Sequence, residues 1–123
     1  MDGAQAQGAG DALLVEDFRH VVLTVAAYGG GTGPTFTLQF QAAVAEDQPD
    51  WGSAQGNDNL WEYVQVVDLN DRTSIDGDTG FSVSGSNDTR LFEVNTNLIR
   101  WFNARITSYS DGQADVRAIA RTN

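Results

Sequence analysis

The chain has 123 residues, no cysteine and a formal net charge of −10, from 17 acidic and 7 basic side chains. Its length fits one small domain, and the lack of cysteine excludes a disulfide framework, a cysteine-ligated metal centre and a thiol nucleophile. Acidic residues outnumber basic ones by 17 to 7 and no lysine is present, which argues against the clustered positive charge with which proteins bind nucleic acid. No apolar stretch is long enough for a membrane span and no signal peptide is visible. We therefore expect neither a nucleic-acid nor a membrane partner.

Residues 1–12 differ in composition from the rest of the chain. They are mostly glycine, alanine, glutamine and aspartate, and such side chains bury too little apolar surface to offset the entropy lost on ordering. We predict a flexible N-terminal arm over residues 1–12, which is either disordered or ordered on a neighbouring molecule. Residues 13–123, which are rich in β-branched and aromatic side chains, are predicted to form a single domain.

Strand patterns dominate residues 13–123. The clearest runs from Phe36 to Val44, where apolar and polar side chains alternate with a period of two, as in a half-buried antiparallel strand. The apolar run Leu60–Leu69 predicts a more fully buried strand, and Ser110-Asp111-Gly112 predicts a tight hairpin turn. The remaining strands are expected at Val21–Val25, Phe81–Ser84, Leu91–Asn95, Leu98–Tyr109 and Ala114–Arg121.

These strands indicate the fold class. No segment of ten or more residues shows the 3.6-residue apolar period of a helix, and we expect at most one helical turn, in the loop 46–59. Seven or eight short strands separated by turns are typical of an all-β fold. The prediction is a two-layer antiparallel β-sandwich or small barrel, of Ig-like or jelly-roll-like type.

Acidic pairs in the loops are the first candidates for catalysis. Glu46 with Asp47, and Asp76 with Asp78, place two carboxyl groups close together in the sequence. A glycoside hydrolase needs two carboxyl groups facing each other across a cleft, whereas these pairs lie in glycine-rich turns, where aspartate is common for its local hydrogen bonds. We predict no catalytic residue and no enzymatic activity.

Metal binding is weighed on the same loops. An irregular Ca²⁺ site formed by residues 57–59, or by Asp71 with Asp76 and Asp78, is an alternative, because Ca²⁺ binds clustered oxygen ligands. The single histidine, His20, lies in a strand pattern and is interpreted as structural, which argues against a multi-histidine site. The sequence prediction is therefore no cofactor and no metal site.

Charge is divided unevenly along the chain. Residues 1–89 carry 14 acidic and 2 arginine side chains, a net charge of −12, while residues 90–123 carry 3 acidic and 5 arginine side chains, a net charge of +2. This division favours contact with a partner through the C-terminal part; the alternative is that these arginines pair with aspartates of the same domain. Trp51 and Trp101 are candidates for interface anchors, or for a sugar-stacking platform with Trp61.

A series of short strand and turn motifs runs in order from Val15 towards the end of the chain. They are Val15-Glu-Asp-Phe18, Val21-Val-Leu-Thr-Val25, Trp51-Gly-Ser53, Asn59-Leu-Trp61-Glu-Tyr-Val-Gln-Val-Val-Asp68, Ile75-Asp-Gly77, Gly80-Phe81, Arg90-Leu-Phe-Glu-Val-Asn95, Leu98-Ile-Arg-Trp101 and Ala104-Arg-Ile-Thr-Ser108. In this order the motifs resemble small virion structural proteins of tailed bacteriophages.

This resemblance implies a non-enzymatic virion component, a capsid decoration (cement) protein that binds the outer face of a phage head and stabilises capsomer junctions. It implies a homotrimer, the major capsid protein as partner and the phage head as location. The alternatives are a minor tail or head-fibre component, or a carbohydrate- or receptor-binding β-sandwich module. For the partner interface we select residue types that anchor protein contacts: Trp51, Arg90, Arg100, Trp101, Arg105, Arg117 and Arg121.

Overall fold

The structure is a computed structural model that describes residues 1–10, 12–44 and 61–122. Within these ranges the regular structure consists of strands, and no helix is long and apolar enough to cross a membrane. The strands, in chain order, are β1 (Gly8–Ala9), β2 (Leu13–Leu14), β3 (His20–Tyr28), β4 (Thr35–Ala43), β5 (Glu62–Tyr63), β6 (Val66–Asp68), β7 (Ser74–Ile75), β8 (Phe81–Ser84), β9 (Asp88–Val94), β10 (Trp101–Asp111) and β11 (Gln113–Arg121).

The strands form two antiparallel sheets. Sheet A has the order β11-β3-β9-β6-β7. In sheet B, β10 and β4 lie side by side, β1 and β2 pair with β10, and β5 and β8 pair with β4. The sheets pack as a sandwich and do not close into a barrel, which confirms the predicted all-β, two-layer antiparallel architecture and decides between the two predicted alternatives.

Alternating side chains fix the two long central strands. Burial alternates along β3 from Val21 to Ala27 and along β4 from Phe36 to Ala42, so every second side chain faces the space between the sheets. β-Branched and aromatic residues suit such pleated, half-buried positions. A shift of one residue in either strand would turn its whole apolar set towards solvent, so the alternation also fixes the register.

Four phenyl rings occupy the centre of the sandwich. Phe40 of sheet B lies 5.5 Å from Phe92 of sheet A, measured between ring centroids, and 6.2 Å from Phe102. Phe81 meets Phe92 edge to face at 5.4 Å. Phe40, Phe92 and Phe102 are fully buried, so this cluster joins the two sheets by apolar contact.

The segment predicted as one buried strand, Leu60–Leu69, is not a single strand over its described residues 61–69, and that prediction was wrong. Glu62–Tyr63 pairs with β4 in sheet B and is exposed, whereas Val66–Asp68 pairs with β9 in sheet A. Between them Val64 donates its N–H to the carbonyl oxygen of Phe40 at 3.2 Å. The apolar run is therefore shared between two sheets, and the residues at the change of sheet, Val64 and Gln65, are half-buried and exposed.

The first residues of the predicted arm lie along the edge of β11. The backbone nitrogen of Met1 donates to Val116 O at 3.2 Å and Val116 N donates to Met1 O at 3.0 Å. Ala4 and Ala114 exchange the same pair of hydrogen bonds at 2.9 and 3.0 Å. These contacts join backbone to backbone, so they need little from the small side chains of the arm.

The second half of the arm lies along the other sheet. Gly8–Ala9 pairs with Ile106 and Arg105 of β10, and Gly10 N donates to Ala104 O at 3.0 Å. The arm therefore covers the side of the sandwich where β10 and β11, one from each sheet, would otherwise be edge strands. The flexibility predicted for the arm is a statement about its motion, and it stays a prediction.

The β10–β11 hairpin turns at Asp111 and Gly112, as predicted. Gly112 has φ +92°, a conformation that glycine adopts without steric cost. The Asp111 carboxylate accepts hydrogen bonds from the N–H and hydroxyl of Thr32, both at 2.9 Å, and from Gly112 N at 2.8 Å. These donors, with those of Thr32 contributing most, lower the pKa of Asp111.

We expect this carboxylate to make the fold sensitive to acid. A carboxyl group whose pKa is lower in the folded than in the unfolded protein stabilises the fold above its unfolded pKa, and this stabilisation is lost as the pH falls through the folded pKa. Urea unfolding midpoints measured between about pH 7 and about pH 3 should therefore fall more steeply for the unsubstituted protein than for Asp111→Asn. Parallel curves would show that Asp111 is not a source of the pH dependence.

Candidate interaction surface

The six described residues of the predicted interface set lie in separate parts of the sandwich. In chain order they are Arg90 in β9, Arg100 just before β10, Trp101 and Arg105 in β10, and Arg117 and Arg121 in β11. The seventh, Trp51, lies outside the described residues. The structure therefore divides the set into local environments that are considered in turn.

Arg90 is held by two aspartates of its own chain. Its Nε donates to Asp88 at 3.1 Å and its Nη1 donates to Asp68 at 2.9 Å, while the guanidinium carbon lies 6.0 Å from the Phe81 ring centroid. The hydrogen bond and charge of Asp88, and then the charge of Asp68, raise the pKa of Arg90. Because these contacts are internal, they give Arg90 a role in stabilising the fold.

We expect the buried partner of Arg90 to contribute more than the exposed one. The Asp68 side chain is 6% exposed and also accepts the Asn70 N–H at 2.9 Å, whereas that of Asp88 is 37% exposed. Asp68→Asn places an amide where Arg90 needs an acceptor and should lower the unfolding free energy by about 2 kcal/mol. The matched control, Asp88→Asn, should cost less than about 1 kcal/mol, because water replaces the exposed contact. Equal losses in urea unfolding would contradict this order.

The segment leading into β10 is also tied into the domain. Arg100 donates from Nη1 to Glu16, and its backbone N–H bonds to Ala43 O at 2.9 Å. Trp101 is half-buried and Arg105 is exposed. Of these three predicted contact residues, Arg105 presents its side chain most openly to a partner.

Arg117 and Arg121 are the predicted residues that share one exposed surface. They lie four positions apart on one face of β11, with Ile119 between them. The Arg117 side chain is 71% exposed and Ile119 is 57% exposed, and Arg121 is exposed as well. Arg117 lies 3.7 Å from the Asp2 carboxylate, which is 90% exposed, and such a solvated pair contributes little. We call residues Arg117–Arg121 the β11 edge.

The β11 edge also offers backbone groups. Val116 and Ala114 turn their N–H and C=O groups towards the arm, and in an antiparallel strand every second residue points the same way. Ala118 and Ala120 therefore direct their N–H and C=O groups away from β3. Among the described residues, no backbone partner lies against these four groups.

Ile119 and the exposure of its neighbours were not predicted from the sequence. In the alternation of the closing strand Ala118 and Ala120 share a face with the buried Ala114, but both are exposed. The last backbone contact of the arm with β11 is at Val116, so the arm does not cover them. The residue pattern itself could have indicated this surface. The positions at the end of β11 that share a face with Ala114 hold only alanine, while an apolar residue lies between two arginines on the opposite side.

A second feature missed by the sequence analysis is an exposed leucine. Leu98 is 94% exposed and has φ +68°, a left-handed conformation that is costly for a leucine. The turn is held by Thr96, whose hydroxyl donates to Phe18 O at 2.6 Å. Val44, 71% exposed, lines the same shallow groove. We call this turn the Leu98 tip.

The loop aspartates considered for calcium have local partners. Asp71 accepts hydrogen bonds from the hydroxyl and N–H of Thr73, and these bonds lower the pKa of Asp71. Asp76 accepts from the Gln65 amide at 2.8 Å. In the described ranges no three acidic or histidine side chains converge as a metal site, and residues 57–59 lie outside those ranges.

Comparisons with protein-family models, with curated proteins and with solved structures found no match to this chain.

Proposed function

We propose that the chain is a structural subunit of a virus particle: a capsid decoration protein that binds the major capsid protein on the outer face of a phage head. It does so as a homotrimer and stabilises capsomer junctions. The assignment to a virus particle rests on the sequence resemblance. The structural observation that carries the binding role is the β11 edge, where open backbone groups, Ile119 and two exposed arginines lie together on a chain of net charge −10.

Charge supports an interface at this edge. The arginines Arg117 and Arg121 stand out on a chain whose first 89 residues carry a net charge of −12. A partner with acidic groups would be attracted to the edge and repelled by most of the remaining surface, which fixes orientation as well as affinity. Many such contacts, repeated over a shell, stabilise it by mass action and avidity.

The Leu98 tip supports the same role. A leucine that is 94% exposed in a left-handed conformation is unfavourable for the isolated domain. Burial of this side chain against a partner would recover apolar contact that the fold leaves unused. The tip therefore favours a binding protein over a domain that functions alone.

The carbohydrate-binding alternative depends on exposed aromatic rings. Trp61 is 7% exposed and Trp101 is half-buried, whereas a stacking platform needs open ring faces. The described tryptophans thus give the carbohydrate alternative little support. A minor tail or head-fibre component would use the same surfaces, and location in the particle separates it from a decoration protein.

Mass and copy number test the proposal. Light scattering on the purified protein should give the mass of a trimer, and quantitative mass spectrometry of purified particles should find it in high copy relative to the major shell protein. Its presence only at the tail, or absence from particles, would overturn the decoration role.

A charge reversal tests the surface. Arg121→Glu should reduce occupancy on undecorated shells, while Arg72→Glu, an equal change of charge at an exposed residue of the β6–β7 hairpin, should leave occupancy close to that of the unsubstituted protein. Equal occupancy of both variants would argue against the β11 edge as the contact surface.

A further inference from the structure

We propose that the β11 edge is a strand-addition site. Its occupant is an extended segment of a partner protein with the pattern acidic, any, apolar, any, acidic, which adds to sheet A as a further strand along Arg117–Arg121. The inference deepens the proposed function and rests on it for the partner being another protein of the particle.

The backbone of the edge is arranged for pairing. Ala118 and Ala120 each direct one N–H and one C=O outwards, as deduced from the hydrogen bonds of Val116 and Ala114. On the other side β11 is paired with β3 over its whole length, from Gln113 to Arg121. The edge is thus already formed as a strand, and an added strand would extend the existing ladder of sheet A.

The arm shows how a segment binds this strand. Met1 exchanges two backbone hydrogen bonds with Val116, and the Asp2 carboxylate next to it lies 3.7 Å from Arg117. A backbone pair beside a carboxylate–arginine contact is the arrangement that we propose for the partner. The arm contacts end at Val116, so a partner strand can occupy the next two outward-directed residues, Ala118 and Ala120.

The side chains of the edge define the pattern. Arg117, Ile119 and Arg121 lie on one face of β11 at successive outward positions. Side chains directly opposite each other across two strands are close enough to interact. An added strand would therefore place one acidic residue near each arginine and an apolar residue over Ile119, two positions from each acid.

A second copy of β11 is a poor occupant of the same edge. Antiparallel pairing of two edges centred on Ile119 would bring Arg117 of one chain opposite Arg121 of the other, twice. Parallel pairing in register would oppose each arginine to itself. Like charges directly opposite are destabilising, so the edge discourages self-association while attracting acidic segments.

A peptide titration tests the proposal directly. The probe is a five-residue peptide with blocked ends, glutamate-threonine-valine-threonine-glutamate, which spans Arg117–Arg121 and leaves Val116 to Met1. In NMR titrations at low ionic strength, the largest amide shifts should occur at Ala118 and Ala120, and exchange of their amide hydrogens should slow. A peptide with lysine in place of both glutamates should bind about tenfold more weakly, since two cross-strand ion pairs become repulsive.

Three variants separate backbone pairing from attraction by charge alone. Ala120→Pro removes one outward N–H while the ladder to β3 remains, and should weaken the glutamate peptide about fivefold. Arg117→Ser with Arg121→Ser should weaken it about tenfold, whereas Arg117→Lys with Arg121→Lys should keep the affinity within about twofold. The folded state of each variant is checked by its amide spectrum.

Several outcomes would overturn the proposal. These are equal binding of the glutamate and lysine peptides, shifts away from Ala118 and Ala120, unchanged affinity in Ala120→Pro, or self-association that the serine variants abolish. High copy number in particles together with a failed titration would reject strand addition alone. Peptide binding by a protein absent from particles would instead reject the proposed function.

Discussion

Replacement of Gly77 by alanine is expected to destabilise the protein by about 4 kcal/mol, because the added methyl group has no space and a backbone hydrogen bond is lost. A Cβ at this position would lie closer than 3.0 Å to Phe40 O, Val64 O and Val64 N. These are backbone atoms of two segments, and neither can rotate out of the way. Gly77 O also accepts the Phe40 N–H at 3.1 Å, so relief of the clash would cost that bond.

Gly31→Ala is the matched control for this substitution. Gly31 lacks a left-handed φ, and a Cβ there would meet the Asp111 carboxylate at 3.9 Å, which is ordinary contact. Alanine should be neutral or stabilise by less than about 1 kcal/mol, through the lower entropy of the unfolded chain. Urea unfolding of the two variants checks the contrast. Similar free energies of unfolding would show that the Gly77 region adapts more easily than its geometry indicates.

The region around Gly77 also shows what alternation could predict. The period of two in Phe36–Val44 indicated one half-buried strand, and β4 confirms it as far as Ala43, while Val44 lies outside the strand and is exposed. The apolar run Leu60–Leu69 did not indicate which sheet its residues join, because an apolar side chain can be buried equally well in either sheet. Which sheet a residue joins depends on the distant backbone that meets it, here Phe40 and Gly77, and no local pattern contains that contact.

The position of the arm could not be predicted for a related reason. Composition indicates that residues 1–12 have few bulky side chains to bury, and we therefore expected the arm to be either disordered or ordered on a neighbouring molecule. The contacts of Met1, Ala4 and Gly10 with β11 and β10 join backbone to backbone. Such contacts carry almost no sequence signal, because any residue except proline offers the same donor and acceptor.

The sequence indicated which residue types could form an interaction surface, but it did not indicate the contacts that each of these residues makes in the fold. Arginine and tryptophan are the residues that anchor interfaces, but Arg90 and Arg100 have acidic partners in their own chain. Arg90 and Arg100 therefore follow the alternative expectation, in which the arginines pair with acidic residues of the same domain. Arg117 has a solvated contact with Asp2 of the arm, and Arg121 lies beyond the last backbone contact of the arm, so the exposure of both side chains follows from the position of the arm and not from the closing strand alone.

Phe40→Ala should lower the unfolding free energy by about 4 kcal/mol, and the melting temperature by about 15 °C for a domain of this size. Phe40 is fully buried and meets a ring of each sheet, Phe92 in sheet A and Phe102 in sheet B. Its removal would leave a cavity between the sheets that paired strands cannot close by shifting side chains alone.

Phe40→Leu separates the loss of apolar volume from the loss of the ring contacts. Leucine keeps most of the buried apolar surface and should cost about 1.5 kcal/mol. Thermal and urea unfolding of both variants give the comparison. The difference between them measures how strongly the contact between the sheets depends on the ring cluster. If alanine cost no more than leucine, the sheets would be held mainly by their edges, and the arm that joins β10 to β11 would become the principal link between the layers.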